Sequence, residues 1–153
     1  MLETVEGKKL SVTFLGARKN TTLSPNIARI LRKMEKSVFD KFYLTGSFSV
    51  SGKIPDDIDF FCCYTEQTKA ALLSYGFCSE FSAYGDSSFQ EVLIYQTDWN
   101  LWGDEISQIH VQLIYPWMLD RKIVAQKQFE KLSPYLKDLS KDRMRSLWEI
   151  LTD

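Results

Sequence analysis

The sequence predicts an α+β (α/β) fold, a mixed β-sheet with helices packed on one side, on three observations. The chain has 153 residues, 44% apolar and 14% aromatic, enough for one hydrophobic core without disulfides or a structural metal. Short runs of period-two apolar alternation recur through its middle, as strands require. Apolar stripes at helical spacing flank them towards both ends. Strands and helices mixed in this way give layers of helix on sheet. With no repeats, low-complexity tract or Pro/Gly-rich linker, residues 1–153 form a single domain.

Taken in order, 9–15 alternates Leu10, Val12 and Phe14 and predicts a short strand added at an edge. Ser24-Pro25 supplies an N-cap and a proline at the first helical position. Ile27, Ile30, Leu31, Met34 and Val38 follow at helical spacing and predict a helix over 25–38. Strands are predicted at 41–44 and 57–64, then a helix over 65–75 that Gly76 stops. Residues 77–83 and 90–97 read as strands around a polar turn at 85–88. A turn at 99–105 leads to a strand at 108–115. Pro116 opens a helix to about Phe129 with Trp117, Ile123 and Val124 as its contacts. Ser133-Pro134 starts a further helical segment, and Ser140 caps a last helix with the stripe Met144, Leu147, Trp148 and Leu151. The N-terminal and C-terminal helices are expected on the same side of the sheet, leaving a face open. Phe39, Phe42, Phe60, Phe61 and Phe77 are expected in the core; Tyr84, Trp99 and Trp102 fall in turn segments where one could stack a base.

The net charge of −1 hides a distribution. Residues 1–41 carry nine Lys/Arg against four Asp/Glu, 42–116 two against ten, and 117–153 eight against six. An acidic centre between basic flanks suits a cation site with phosphate-attracting walls, or is ordinary solvated charge. No strong basic stripe argues for binding duplex DNA. Cys62, Cys63 and Cys78 lack the spacing of a metal cage and read as reduced core residues. No apolar run approaches a membrane span, and the N-terminus lacks a signal peptide's apolar stretch, so a cytoplasmic protein is expected.

The chemistry concentrates at 44–60. Gly46-Ser47 closes one apolar run, and after a nine-residue spacer Asp57-Ile58-Asp59-Phe60 opens another. Alternate strand residues share a face, so Asp57 and Asp59 project together with Ile58 behind them. Neighbouring carboxylates repel unless a cation separates them, and a hard divalent ion such as Mg²⁺ serves. Backbone amides and a hydroxyl at Gly46-Ser47 suit phosphate oxygens, or make a plain turn. Lys53, in the spacer, is either a mobile phosphate contact or a solvated lysine; Asp56 is a turn or cap residue.

These residues resemble the nucleotidyltransferase superfamily, in particular DNA polymerase beta-like and small bacteriophage-type members. Its signature is Gly-Ser, a spacer of similar length, then Asp-x-Asp. A later strand of the family carries a third acid; here Ile109-His110-Val111-Gln112-Leu113-Ile114-Tyr115-Pro116 keeps the apolar frame and puts His110, the one histidine, in its place. The resemblance implies a nucleotidyltransferase-like fold. It also implies metal-dependent transfer of a nucleotidyl group from a nucleoside triphosphate to a hydroxyl of an RNA end, a protein or a small molecule. By position, Asp57 and Asp59 would be catalytic and hold Mg²⁺ or Mn²⁺, and Gly46 and Ser47, with Lys53, would hold phosphates. His110 would be a base, a nitrogen ligand favouring Mn²⁺ or Zn²⁺ over Mg²⁺, or the mark of lost catalysis; otherwise it is a structural histidine. In the case of loss, the chain acts by binding a nucleotide, RNA or a protein partner.

Overall fold

The structure, a computed structural model, describes residues 1–17, 22–49, 57–80, 89–97, 105–136 and 141–152. Seven strands form one mixed sheet: β1 (Leu2–Glu3), β2 (Lys9–Leu10), β4 (Phe42–Thr45), β5 (Asp57–Cys63), β6 (Cys78–Glu80), β7 (Phe89–Gln96) and β9 (Gln108–Ile114). Their order is β2-β1-β4-β5-β9-β7-β6. Two short strands, β3 (Thr22–Leu23) and β8 (Glu105–Ile106), pair in parallel as a separate ribbon.

The centre of the sheet explains the layers. Along β5, Ile58, Phe60 and Cys62 face one way and join a buried cluster with Ile109, Val111 and Leu113 of β9. Three helices supply the rest of that layer: α1 (Val12–Ala17), α2 (Pro25–Lys36) and α3 (Glu66–Ser74). Ser24 caps α2 by accepting from the Ile27 amide at 3.3 Å, and Ile27, Ile30, Leu31 and Met34 form its buried stripe. Thr65 caps α3 in the same way at 3.0 Å from the Thr68 amide.

The opposite face is covered too. Phe61 of β5 and Ile114 of β9 lie on it with Val5, beneath Met118, Leu119 and Ile123. These belong to a 3₁₀ turn, Pro116–Met118, and to α4 (Leu119–Lys131). After α5 (Ser133–Leu136), α6 (Lys141–Thr152) lays Met144, Leu147, Trp148 and Leu151 on Phe129 of α4. The Phe129 and Trp148 rings stack at 4.5 Å between centroids. Helices therefore pack on both sides of the sheet, not on one. The cause is the consecutive apolar residues Phe60, Phe61 and Cys62, which bury both faces of β5 at its C-terminal end. Met34 and Leu147 consequently sit on opposite sides of the sheet.

Several local expectations are corrected. Residues beyond Leu10 turn helical rather than extending a strand: the Ser11 hydroxyl accepts from the Phe14 amide at 3.1 Å, and Val12 and Leu15, one turn apart, are buried together. α2 ends at Lys36, so Val38 is exposed, as is Phe39 at 95%. Trp117 and Val124 point to solvent, and Ile123, Ala125 and Phe129 make the buried contacts. Of the cysteines only Cys62 is buried; Cys63 is half-buried and Cys78 exposed. The turn at 85–88, residues 99–104 of the turn expected at 99–105 (with Trp99 and Trp102), Tyr84, and the cap residue Ser140 lie outside the described residues; Glu105 opens β8.

Candidate metal and phosphate site

Four elements meet at one end of the sheet. β4 runs antiparallel to β5, so its last residue, Thr45, lies opposite Asp59. β5 and β9 run parallel in unbroken register, which sets Asp57 opposite Gln108 and Asp59 opposite His110. All five side chains fall on the face that α4 covers further along. The alternation expected from Asp57-Ile58-Asp59 holds: Ile58 is fully buried and both carboxylates stay half-buried on the other side.

The turn after β4 is a short 3₁₀ segment, Gly46–Ser49. Gly46 has φ of +69°, and a Cβ there would come within 2.3 Å of Asp59 Oδ2. Only glycine meets both demands, since other residues are strained at positive φ and any side chain would displace the carboxylate. The Gly46 backbone is thus pressed directly against one acid. The Ser49 hydroxyl donates back to the Gly46 carbonyl at 2.7 Å and holds the turn closed.

His110 completes the group. It is 7% exposed, and Nδ1 lies 3.5 Å from Asp57 Oδ2 and 3.4 Å from Asp59 Oδ1. Its other nitrogen, Nε2, lies 2.7 Å from Gln108 Oε1. With that amide oxygen accepting, Nε2 carries a hydrogen, and Nδ1 faces the two carboxylates. A proton on Nδ1 makes the group an ion pair; a cation among the three side chains would offset the carboxylate charge in the same place.

The donor set fits a divalent cation. One ligand atom from each of Asp57, Asp59 and His110 falls within 4.8 Å of the others. Adjacent ligands of an octahedral ion bound at about 2.1 Å lie about 3 Å apart, so small side-chain rotations suffice. Two carboxylate oxygens and an imidazole nitrogen are donor types that divalent metal ions accept. Gln108, in turn, is the kind of outer partner that fixes a ligating imidazole.

The structure therefore brings together Asp57, Asp59, His110 and Gly46. Ser47 belongs to the turn through its backbone; its side chain, Asp56 and Lys53 lie outside the described residues. The expectations missed Gln108, Thr45 and Ser49. Gln108 was open to discovery, because residues two apart on a strand share a face. Among the described residues no helix is long and apolar enough to cross a membrane. Comparison with family models, curated proteins and solved structures returned no match to this chain.

Proposed function

We propose that this chain is a nucleotidyltransferase-like protein that transfers a nucleotidyl group from a nucleoside triphosphate to a hydroxyl acceptor. Asp57, Asp59 and His110 hold the cation, Mg²⁺ or Mn²⁺, and the Gly46–Ser49 turn receives the phosphates. The observation that carries this reading is the contact of the Gly46 backbone with Asp59. It puts the Gly46–Ser49 turn beside a carboxylate pair, so one ligand bearing both a cation and phosphates can meet both.

The reaction forms a bond from the acceptor oxygen to the α-phosphorus and breaks the bond from that phosphorus to the bridging oxygen. Pyrophosphate leaves with the bonding pair, and the hydroxyl proton goes to a base. The bound cation would supply charge neutralisation for the triphosphate and the leaving group. Asp57 and Asp59 anchor the ligand and orient it. Gln108 keeps hydrogen on Nε2 of His110, leaving Nδ1 to serve either as the third ligand or as the acceptor of the hydroxyl proton.

A second reading is favoured by one observation: His110 stands where the resembling family has its third carboxylate. On this reading the chain binds a nucleotide, RNA or protein partner without transferring a nucleotide. Calorimetry with Mn²⁺ and ATP on the wild type and on Asp57→Asn/Asp59→Asn tests both. The wild type should bind in a Mn²⁺-dependent way and the double variant should not; equal responses overturn the site. Labelled triphosphate offered with RNA and protein acceptors then separates the readings, since binding without label transfer selects the second.

A further inference from the structure

The site has a buried component far from it in sequence. Gln126 of α4 is fully buried, and its whole amide is engaged. Oε1 accepts from Thr45 Oγ1 at 2.6 Å, while Nε2 donates to Ser49 Oγ at 3.0 Å and to Glu130 Oε1 at 3.1 Å. Thr45 is itself buried and is the cross-strand neighbour of Asp59. Ser49 passes the link on to the Gly46 carbonyl. One side chain from α4 thus grips the strand residue beside the acid and the turn pressed against that same acid.

Packing alone does not ask for an amide here. The other buried residues of α4 are Ala125, Phe129 and Lys122, whose ammonium lies over the Phe61 and Trp148 rings, and a methionine of similar volume would fill the Gln126 position. A buried amide is costly unless its polar atoms are all bonded, and once bonded it fixes direction as well as distance.

We propose that Gln126 is a positioning residue. It sets the Gly46–Ser49 turn against the Asp57–Asp59–His110 cluster so that the phosphates and the cation of one metal–triphosphate ligand are met together. It acts through Ser49 and Thr45 and touches neither cation nor phosphate. The proposal takes its ligand from the metal–nucleotide reading above, and its test keeps the two apart.

Gln126→Met preserves volume and removes the three bonds; Ser49→Ala cuts only the turn end of the relay and leaves α4 seated on the sheet. Calorimetry with Mn²⁺ alone should give wild-type affinity for both variants. With MnATP, affinity should fall about tenfold, the loss of a buried hydrogen bond expressed as binding. Ile123→Ala, which loosens α4 over Phe61 without touching the relay, should lower Tm without separating the two affinities. Unchanged MnATP affinity in Gln126→Met and Ser49→Ala, or the same separation in Ile123→Ala, overturns the positioning role. If the wild type binds Mn²⁺ but no nucleotide, the nucleotide reading fails on its own. The positioning role is then read by NMR with Mg²⁺: the Gly46 amide response should vanish in Ser49→Ala while the His110 ring response persists. A retained Gly46 response overturns it.

Discussion

One face of the β5–β9 pair holds two opposite environments. At the start of the strands it presents Asp57, Asp59, Gln108 and His110. A few residues on, the same face presents Phe61 and Ile114, closed under Met118, Leu119 and Ile123. The register between the strands is unbroken across the change, so the backbone does not create it. What differs is the cover: α4 closes over Phe61 and Ile114 and, among the described residues, reaches the near half only at Thr45 and Ser49, through Gln126. In the far half an unpaired charge would cost several kcal/mol, roughly the price of stripping water from an ion, whereas the near half keeps its carboxylates half-exposed. A sheet face becomes a site where its helical cover stops.

The comparison breaks most visibly at the closed half. Phe61→Ala removes a fully buried ring that also meets Tyr43 at 5.2 Å between centroids. It should cost about 3–5 kcal/mol in urea unfolding while leaving Mn²⁺ affinity of the folded fraction intact. A loss under about 1 kcal/mol would mean that α4 does not seal this half.

At the open half the tightest point is Gly46. Gly46→Ala meets both the positive φ and Asp59, and should cost about 1–3 kcal/mol. Unlike Phe61→Ala, it should also weaken Mn²⁺ binding, because the carboxylate must move to admit the methyl group. Wild-type metal affinity in a destabilised Gly46→Ala protein would separate the turn from the acids.

The smallest effect comes from a carboxylate balanced by lysine, a reference for the site's acids. Burial pushes the Glu91 carboxyl up, but bonds from Lys69 at 2.7 Å and Ser79 at 2.8 Å outweigh it and hold it below the usual range. The folded state therefore binds this proton later than the unfolded chain as pH falls. The stabilisation is complete above the unfolded carboxyl range, near pH 4.3 to about 4.5, and is lost as pH drops through the lowered folded value. Glu91→Gln should flatten the stability–pH curve in that window and leave it unchanged at neutral pH in shape. An identical acid limb in variant and wild type would show the pair to be solvent-screened.

Much of the site was readable in the sequence because strand alternation and a short spacer are local. Asp57 and Asp59 share a face by parity, and Gly46 is marked by its place at the end of a strand. His110 could be placed only by analogy of pattern, since the β5–β9 pairing joins segments about fifty residues apart. Gln126 gave no signal: a glutamine on a helix is ordinary until Thr45 and Ser49 are known to lie beneath it. The expectation of helices on one side failed because the run Phe60-Phe61-Cys62 buries both faces of β5 and so needs cover on each. Trp117 and Val124 were expected as contacts, yet the helical phase set by Met118, Leu119 and Ile123 turns them outward.

The parallel pairing of β5 with β9 also orders events during synthesis. Parallel neighbours need a long crossover, and here it contains α3, β6, β7 and β8. A ribosome has made Gly46, Asp57 and Asp59 well before it reaches His110, and later still Gln126. Until then β5 has β4 on one flank and no neighbour on the other. The acids are complete in the nascent chain while the imidazole, the second flank and the buried amide are all still to come. The three-residue cluster is thus complete only once the last third of the chain has been translated, and no product ending before His110 can form it.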